Sequence, residues 1–225
     1  MAMKANKEQE TGEVLSRGEH FFEKHANLIF YIVLGLIIIA FGVWAYIQYV
    51  AKPRTESAYE ALYSAEDNFI MGEDSTVLST AGISDQGVLS VAKDYKGTKA
   101  ATLAHLYAGV ANYDLGKYQE ALQELKKYSA KDQLVSPSIL RLMGDCCVQL
   151  DRFEEAIDYF KKAADKADNP VVSPGCLIKA ARVYEHMQKT DKALELYKEV
   201  KDKYYDSPEA TSVLADITRI EGSTK

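Results

Sequence analysis

The sequence predicts an all-α protein. An N-terminal transmembrane helix is followed by an α-solenoid of about three to four helix pairs, closed by a C-terminal capping helix. Three observations predict this. Residues 27–50 form an apolar run without a single charge. Three Ser-Pro pairs, at Ser136-Pro137, Ser173-Pro174 and Ser207-Pro208, each open an amphipathic helical pattern and lie 37 and 34 residues apart. A turn followed by a helix carrying alanine recurs with the same period, placing Ala121, Ala156 and Ala193 at intervals of 35 and 37.

Residues 1–26 read as a short polar tail. The run that follows, NLIFYIVLGLIIIAFGVWAYIQYV, exceeds the roughly 20 apolar residues a helix needs to cross a bilayer core. Aromatic residues gather near its ends, Phe30 and Tyr31 on one side and Trp44, Tyr46 and Tyr49 on the other, as in an interfacial belt. The run is too long and starts too late for a cleavable signal peptide. No small-x-small site precedes Lys52-Pro53-Arg54, so an uncleaved anchor is expected. Gly35 and Gly42 share one helix face. Lys4, Lys7, Arg17 and Lys24 in the tail outnumber Lys52 and Arg54 beyond the run. The tail is therefore expected in the cytoplasm, and the remainder across the membrane.

Residues 51–99 are expected to form a linker and a degenerate first repeat. Its first helix, 55–71, carries Ala58, Leu62, Ala65 and Phe69 on one stripe; a loop at 72–83 precedes a shorter helix at 84–95. Residues 100–206 hold the repeats. Serine is a good N-cap, and proline suits the first helical turn because its missing N–H would be unpaired there. Leu115-Gly116-Lys117-Tyr118-Gln119-Glu120-Ala121-Leu122 is echoed by Leu150-Asp151-Arg152-Phe153-Glu154-Glu155-Ala156-Ile157, and more loosely by Lys189-Thr190-Asp191-Lys192-Ala193-Leu194. Gly109, Gly144 and Ala181 each lie twelve residues before the repeating alanine, putting a small residue on each member of a tight helix pair. Residues 207–225 supply a capping helix and tail.

This pattern resembles the tetratricopeptide repeat (TPR), a pair of antiparallel helices in about 34 residues. Thr190 departs from the aromatic after the turn, and His105 stands where a large residue early in the first helix is usual. The resemblance implies a concave groove lined by the first helix of each unit, which receives peptides or partner helices. Carried over by position, the groove residues are Leu106, Val110, Tyr113 and Asp114 in the first unit, and Arg141, Asp145 and Gln149 in the second. In the third they are Ile178, Arg182, Glu185 and His186. For any one position, solvation or packing between repeats is an equal reading. Tyr159, Tyr197, Tyr204 and Tyr205, on or after second helices, are expected to pack between repeats.

The bulk properties narrow the function. A net charge of -6 disfavours nucleic-acid binding, which needs a basic face. Cys146, Cys147 and Cys176 show no metal-ligand spacing and read as small buried residues. His20, His25, His105 and His186 are scattered, and no phosphate-binding glycine loop, HExxH motif or nucleophile elbow occurs. Glu154 and Glu155 read as solvated acids. An enzyme, a cofactor and a small-molecule substrate are therefore not expected.

The tail, anchor and small repeat domain together resemble the YfgM-like ancillary subunit of the bacterial Sec translocon. The resemblance is carried by Lys96-Gly97-Thr98-Lys99-Ala100, by Leu103-Ala104-His105-Leu106-Tyr107-Ala108-Gly109, by Tyr184-Glu185 and by Lys203-Tyr204-Tyr205-Asp206-Ser207-Pro208. It implies a single-pass protein of the bacterial inner membrane whose periplasmic TPR domain contacts Sec translocon subunits and helps pass emerging proteins to chaperones. Two other readings stay open: a scaffold for envelope assembly or cell division, and a cytoplasm-facing membrane TPR adaptor.

Overall fold

The computed structural model describes residues 25–72, 77–78, 87–128 and 135–223. The chain divides into two units, Met1–Arg54 and Thr55–Lys225, each described by itself. The basic residues of the tail, His20 and part of the predicted loop at 72–83 lie outside the described residues.

In the first unit, helix α1 spans 25–46 and runs into a π-helical turn, Ile47–Ala51. The Lys52 N–H donates to the Ile47 carbonyl, five residues back. Pro53 explains the wider turn: it brings no N–H, and in a regular helix its ring would press on the carbonyl four residues earlier. The helical run His25–Tyr63 contains a window of mean hydropathy 2.7, none of it buried, and is long and apolar enough to cross a membrane. Phe41 and Tyr49 flank Trp44, with ring centroids 5.6 and 6.5 Å from it.

The second unit is a succession of helices. Helix α2 (Lys52–Ile70) contributes from Thr55 onward. It is followed by α3 (Val88–Asp94), α4 (Lys99–Asp114), α5 (Tyr118–Leu125), α6 (Val135–Gln149) and α7 (Phe153–Ala167). Then come α8 (Ser173–His186), α9 (Thr190–Lys203) and α10 (Pro208–Ser223). Sequential packing holds from α3 to α10, and α10 also touches α8. The pairs α4/α5, α6/α7 and α8/α9 are the three expected repeats. Ala58 and Leu62 of α2 are buried with Val77, Val88, Val91 and the alanines of α4, in a cluster separate from the main core. Phe69 lies 4.9 Å from the Tyr107 ring, and the Tyr107 hydroxyl donates to Glu66 Oε1 at 2.7 Å.

The turns inside the three repeats are built alike. Gly116 (φ 73°), Asp151 (φ 56°) and Gln188 (φ 58°) adopt the left-handed conformation. The next N–H of each, from Lys117, Arg152 and Lys189, reaches back five residues to the carbonyl of Asn112, Cys147 and Tyr184, each at 2.8 Å. This double closure caps the first helix and sends the chain back along it.

The Ser-Pro pairs differ from expectation in one respect. Ser207 does cap α10, accepting the Ala210 N–H at 3.2 Å. Ser173 is already the first residue of α8; its hydroxyl donates to the Ala164 carbonyl at 2.7 Å and accepts the Asn169 N–H. Ser136 likewise lies inside α6, after Val135. A serine can satisfy the neighbouring helix instead of its own when two helix ends meet, and the sequence spacing is the same either way. Helix α4, by contrast, is capped by Thr98, which accepts the Ala101 N–H at 3.1 Å.

Candidate functional site: the face of the first helices

The small residues set the distance between paired helices. A Cβ on Gly109 would stand 2.5 Å from Leu125 Cδ2, and one on Gly144 the same distance from Phe160 Cε1. In the third unit Ala181 and Tyr197 repeat the spacing, both buried. The first helices α4, α6 and α8 carry the predicted groove residues.

The predicted groove residues divide into three groups. Asp114, Arg141, Gln149, Arg182 and His186 are exposed, and Leu106, Val110, Tyr113, Asp145 and Glu185 are half-buried. Ile178 is only 8% exposed and belongs to the main core, so it offers a partner almost no surface. Tyr113 stacks edge-on against Tyr118 at 5.5 Å. Asp145 pairs with Lys179 at 2.7 Å, bridging the second and third units. Glu185 is engaged twice, by the Tyr197 hydroxyl at 2.7 Å and by Arg219 Nη2 at 2.8 Å. Burial and that carboxylate push the Tyr197 phenol well above its ordinary range. Arg141 and Arg182 have no ion pair or hydrogen bond among the described residues, whereas Arg152 and Arg219 are both paired.

A cleft of about 350 Å³ opens between the second and third repeats, lined by Val148, Asp151, Phe153, Arg182, Val183 and His186. Phe153 and His186 form its aromatic wall, ring centroids 4.7 Å apart. Of its lining residues, Arg182 and His186 are among the predicted groove residues. Val148, Phe153 and Val183 are not among them; Phe153 opens the second helix of one unit and meets the first helix of the next. The apolar residue after the repeated turn was the available signal.

The three thiols behave as expected. Cys146, Cys147 and Cys176 are buried. Burial is the main cause that lifts Cys146 from 9.0 to about 12 and Cys147 to about 11. Glu154 and Glu155, expected to be merely solvated, pair with Lys189 (3.3 Å) and Lys126 (3.1 Å) and tie neighbouring repeats together. Tyr197 and Tyr204 are buried and Tyr159 half-buried, but Tyr205 is 80% exposed.

A stack of helix pairs with a partly unpartnered inner face defines the class: an α-solenoid interaction module. Comparison with known proteins gives the particular repeat. Residues 148–217 match the family model for the tetratricopeptide repeat, and residues 88–163 match that for anaphase-promoting complex, cyclosome, subunit 3. TPR repeat-containing protein MJ1428 of Methanocaldococcus jannaschii is 28% identical over 92 residues, 41% of this chain. The chain spans only 16% of that relative's length. A crystal structure of MamA superposes with a TM-score of 0.53 at 19% identity, covering 74% of this chain and 84% of that one. A second MamA structure gives 0.46 at 18% identity, covering 71% and 95%. The chain is therefore similar to tetratricopeptide-repeat proteins over residues 148–217, and its stacked helix pairs share the fold of such repeats.

Proposed function

We propose that the protein is a membrane-anchored TPR adaptor at the Sec translocon of the bacterial inner membrane, helping to hand emerging proteins to periplasmic chaperones. The observation that carries the membrane part is the exposed apolar helix. Seventeen large hydrophobic side chains between Leu28 and Val50 are more than 40% exposed. Apolar surface left in water costs about 25 cal/mol per Å², a loss a bilayer removes. The TPR face supports the adaptor part, and the basic residues of the tail support a cytoplasmic N-terminus with periplasmic repeats. The partners, translocon subunits and chaperones, follow from the resemblance of this tail, anchor and repeat order to the YfgM-like family.

The test is affinity purification of the full-length protein from membranes in mild detergent, followed by mass spectrometry. Translocon subunits are expected among the retained proteins; intact bait without them would overturn the assignment. Topology is read from a Lys225→Cys variant treated with a membrane-impermeant maleimide on spheroplasts. Labelling is expected, against a low background because the native thiols are buried. Protection until lysis would place the repeats in the cytoplasm.

A further inference from the structure

We propose that the cleft between the second and third repeats seats one aromatic side chain of a partner segment, with an adjacent acidic side chain held by Arg182. This rests on the reading of the TPR face as a protein-binding surface and names the chemistry of its ligand. The cleft's walls are apolar: half-buried Val148, buried Val183 and the Phe153 ring tilted against His186. Its volume of about 350 Å³ lies at the lower end of the roughly 300–1,000 Å³ typical of ligand pockets, room for a side chain or two. An aromatic ring fits such a wall edge-on or offset.

Charge selects the neighbour. Arg182 is exposed on the lining and has no carboxylate partner among the described residues, in a chain where acids outnumber bases. A guanidinium at the rim of an apolar cleft is satisfied best by a two-pronged carboxylate contact. Asp151, also on the lining, repels an acid from its side, so it sets the direction in which the segment lies.

The probe is a short Gly/Ser peptide bearing one 4-fluorophenylalanine followed by aspartate, titrated with the full-length protein in detergent and followed by fluorine NMR. Broadening and a shift of the resonance are expected. Arg182→Gln is expected to weaken the affinity about tenfold. Lys161→Gln, which removes one positive charge from an exposed position outside the cleft, is expected to leave it unchanged. Val148→Trp, which fills the cleft, is expected to abolish it, with circular dichroism confirming that each variant is helical. Equal binding of an asparagine-containing peptide, or equal loss in the Arg182→Gln and Lys161→Gln variants, would overturn the proposal. If the peptide fails to bind while photo-cross-linkers at Gln149 still capture translocon subunits in membranes, the cleft proposal falls and the adaptor function stands. If the peptide binds as expected but no translocon subunit co-purifies, the reverse holds.

Discussion

Gly144 faces the ring of Phe160 across the second helix pair: a Cβ at Gly144 would lie 2.5 Å from Cε1 and 2.7 Å from Cδ1. Carbon contacts settle near 3.5–4.0 Å, so the ring would have to move. Gly109 meets Leu125 in the same way one unit earlier.

Gly144→Ala sets two effects against each other. Alanine is the better helix former by about 1 kcal/mol, while overpacking costs about 1–3 kcal/mol. Packing is expected to win, because Phe160 is fully buried and has no free direction in which to turn. Urea denaturation is expected to show a net loss of about 1 kcal/mol. Adding Phe160→Leu is expected to cost less in the Gly144→Ala background than in the native one.

Gln188 is the left-handed turn residue of the third repeat, where the first uses Gly116. A side chain in that conformation costs about 1–2 kcal/mol, and glycine gives back part of the gain through a freer unfolded chain. Gln188→Gly is therefore expected to stabilise by roughly 0.5–1 kcal/mol, raising Tm by about 2–4 °C. Gly116→Val is expected to do the opposite, and by more. A calorimetric comparison of the two checks both signs.

Glu185 joins α8, α9 and α10 through Tyr197 and Arg219. Tyr197 is 1% exposed, so Tyr197→Phe removes a hydrogen bond to a charged acceptor, worth about 1.5–3 kcal/mol. The Arg219 side chain is exposed, and Arg219→Ala is expected to cost less than Tyr197→Phe because solvent screens its ion pair. The two effects are expected to be non-additive in a double-mutant cycle because both partners share one carboxylate.

Alkaline pH is expected to destabilise the repeats. Cys146 and Cys147 have their thiol values raised in the folded chain, so their protons are retained there and lost first on unfolding. Their contribution is complete below pH 9.0 and fades as pH rises toward about 11 and 12. Each such thiol lowers stability by about 1.4 kcal/mol per pH unit within that window. Urea midpoints should fall from pH 9 upward, and Cys146→Ala should flatten the slope. For the same reason of burial, Ellman's reagent at pH 8 is expected to react with these thiols only after denaturant is added.

The repeat architecture was legible in the chain because its signals are local. A turn closes over five residues, an amphipathic stripe spans two turns of helix, and a small residue announces a close partner wherever that partner comes from. The period, the three helix pairs, the capping helix and the long apolar run all follow from such short-range patterns, which one chain carries without reference to its fold. Tertiary structure alone decided what depends on how one unit is rotated against the next. It buried Ile178 while leaving Arg182 exposed, engaged Glu185 with Tyr197 and Arg219, turned Ser173 toward Ala164, and brought Phe153 against His186. Those contacts join residues about 9 to 34 positions apart, and a few degrees of rotation between stacked helices decides which side of a helix reaches solvent.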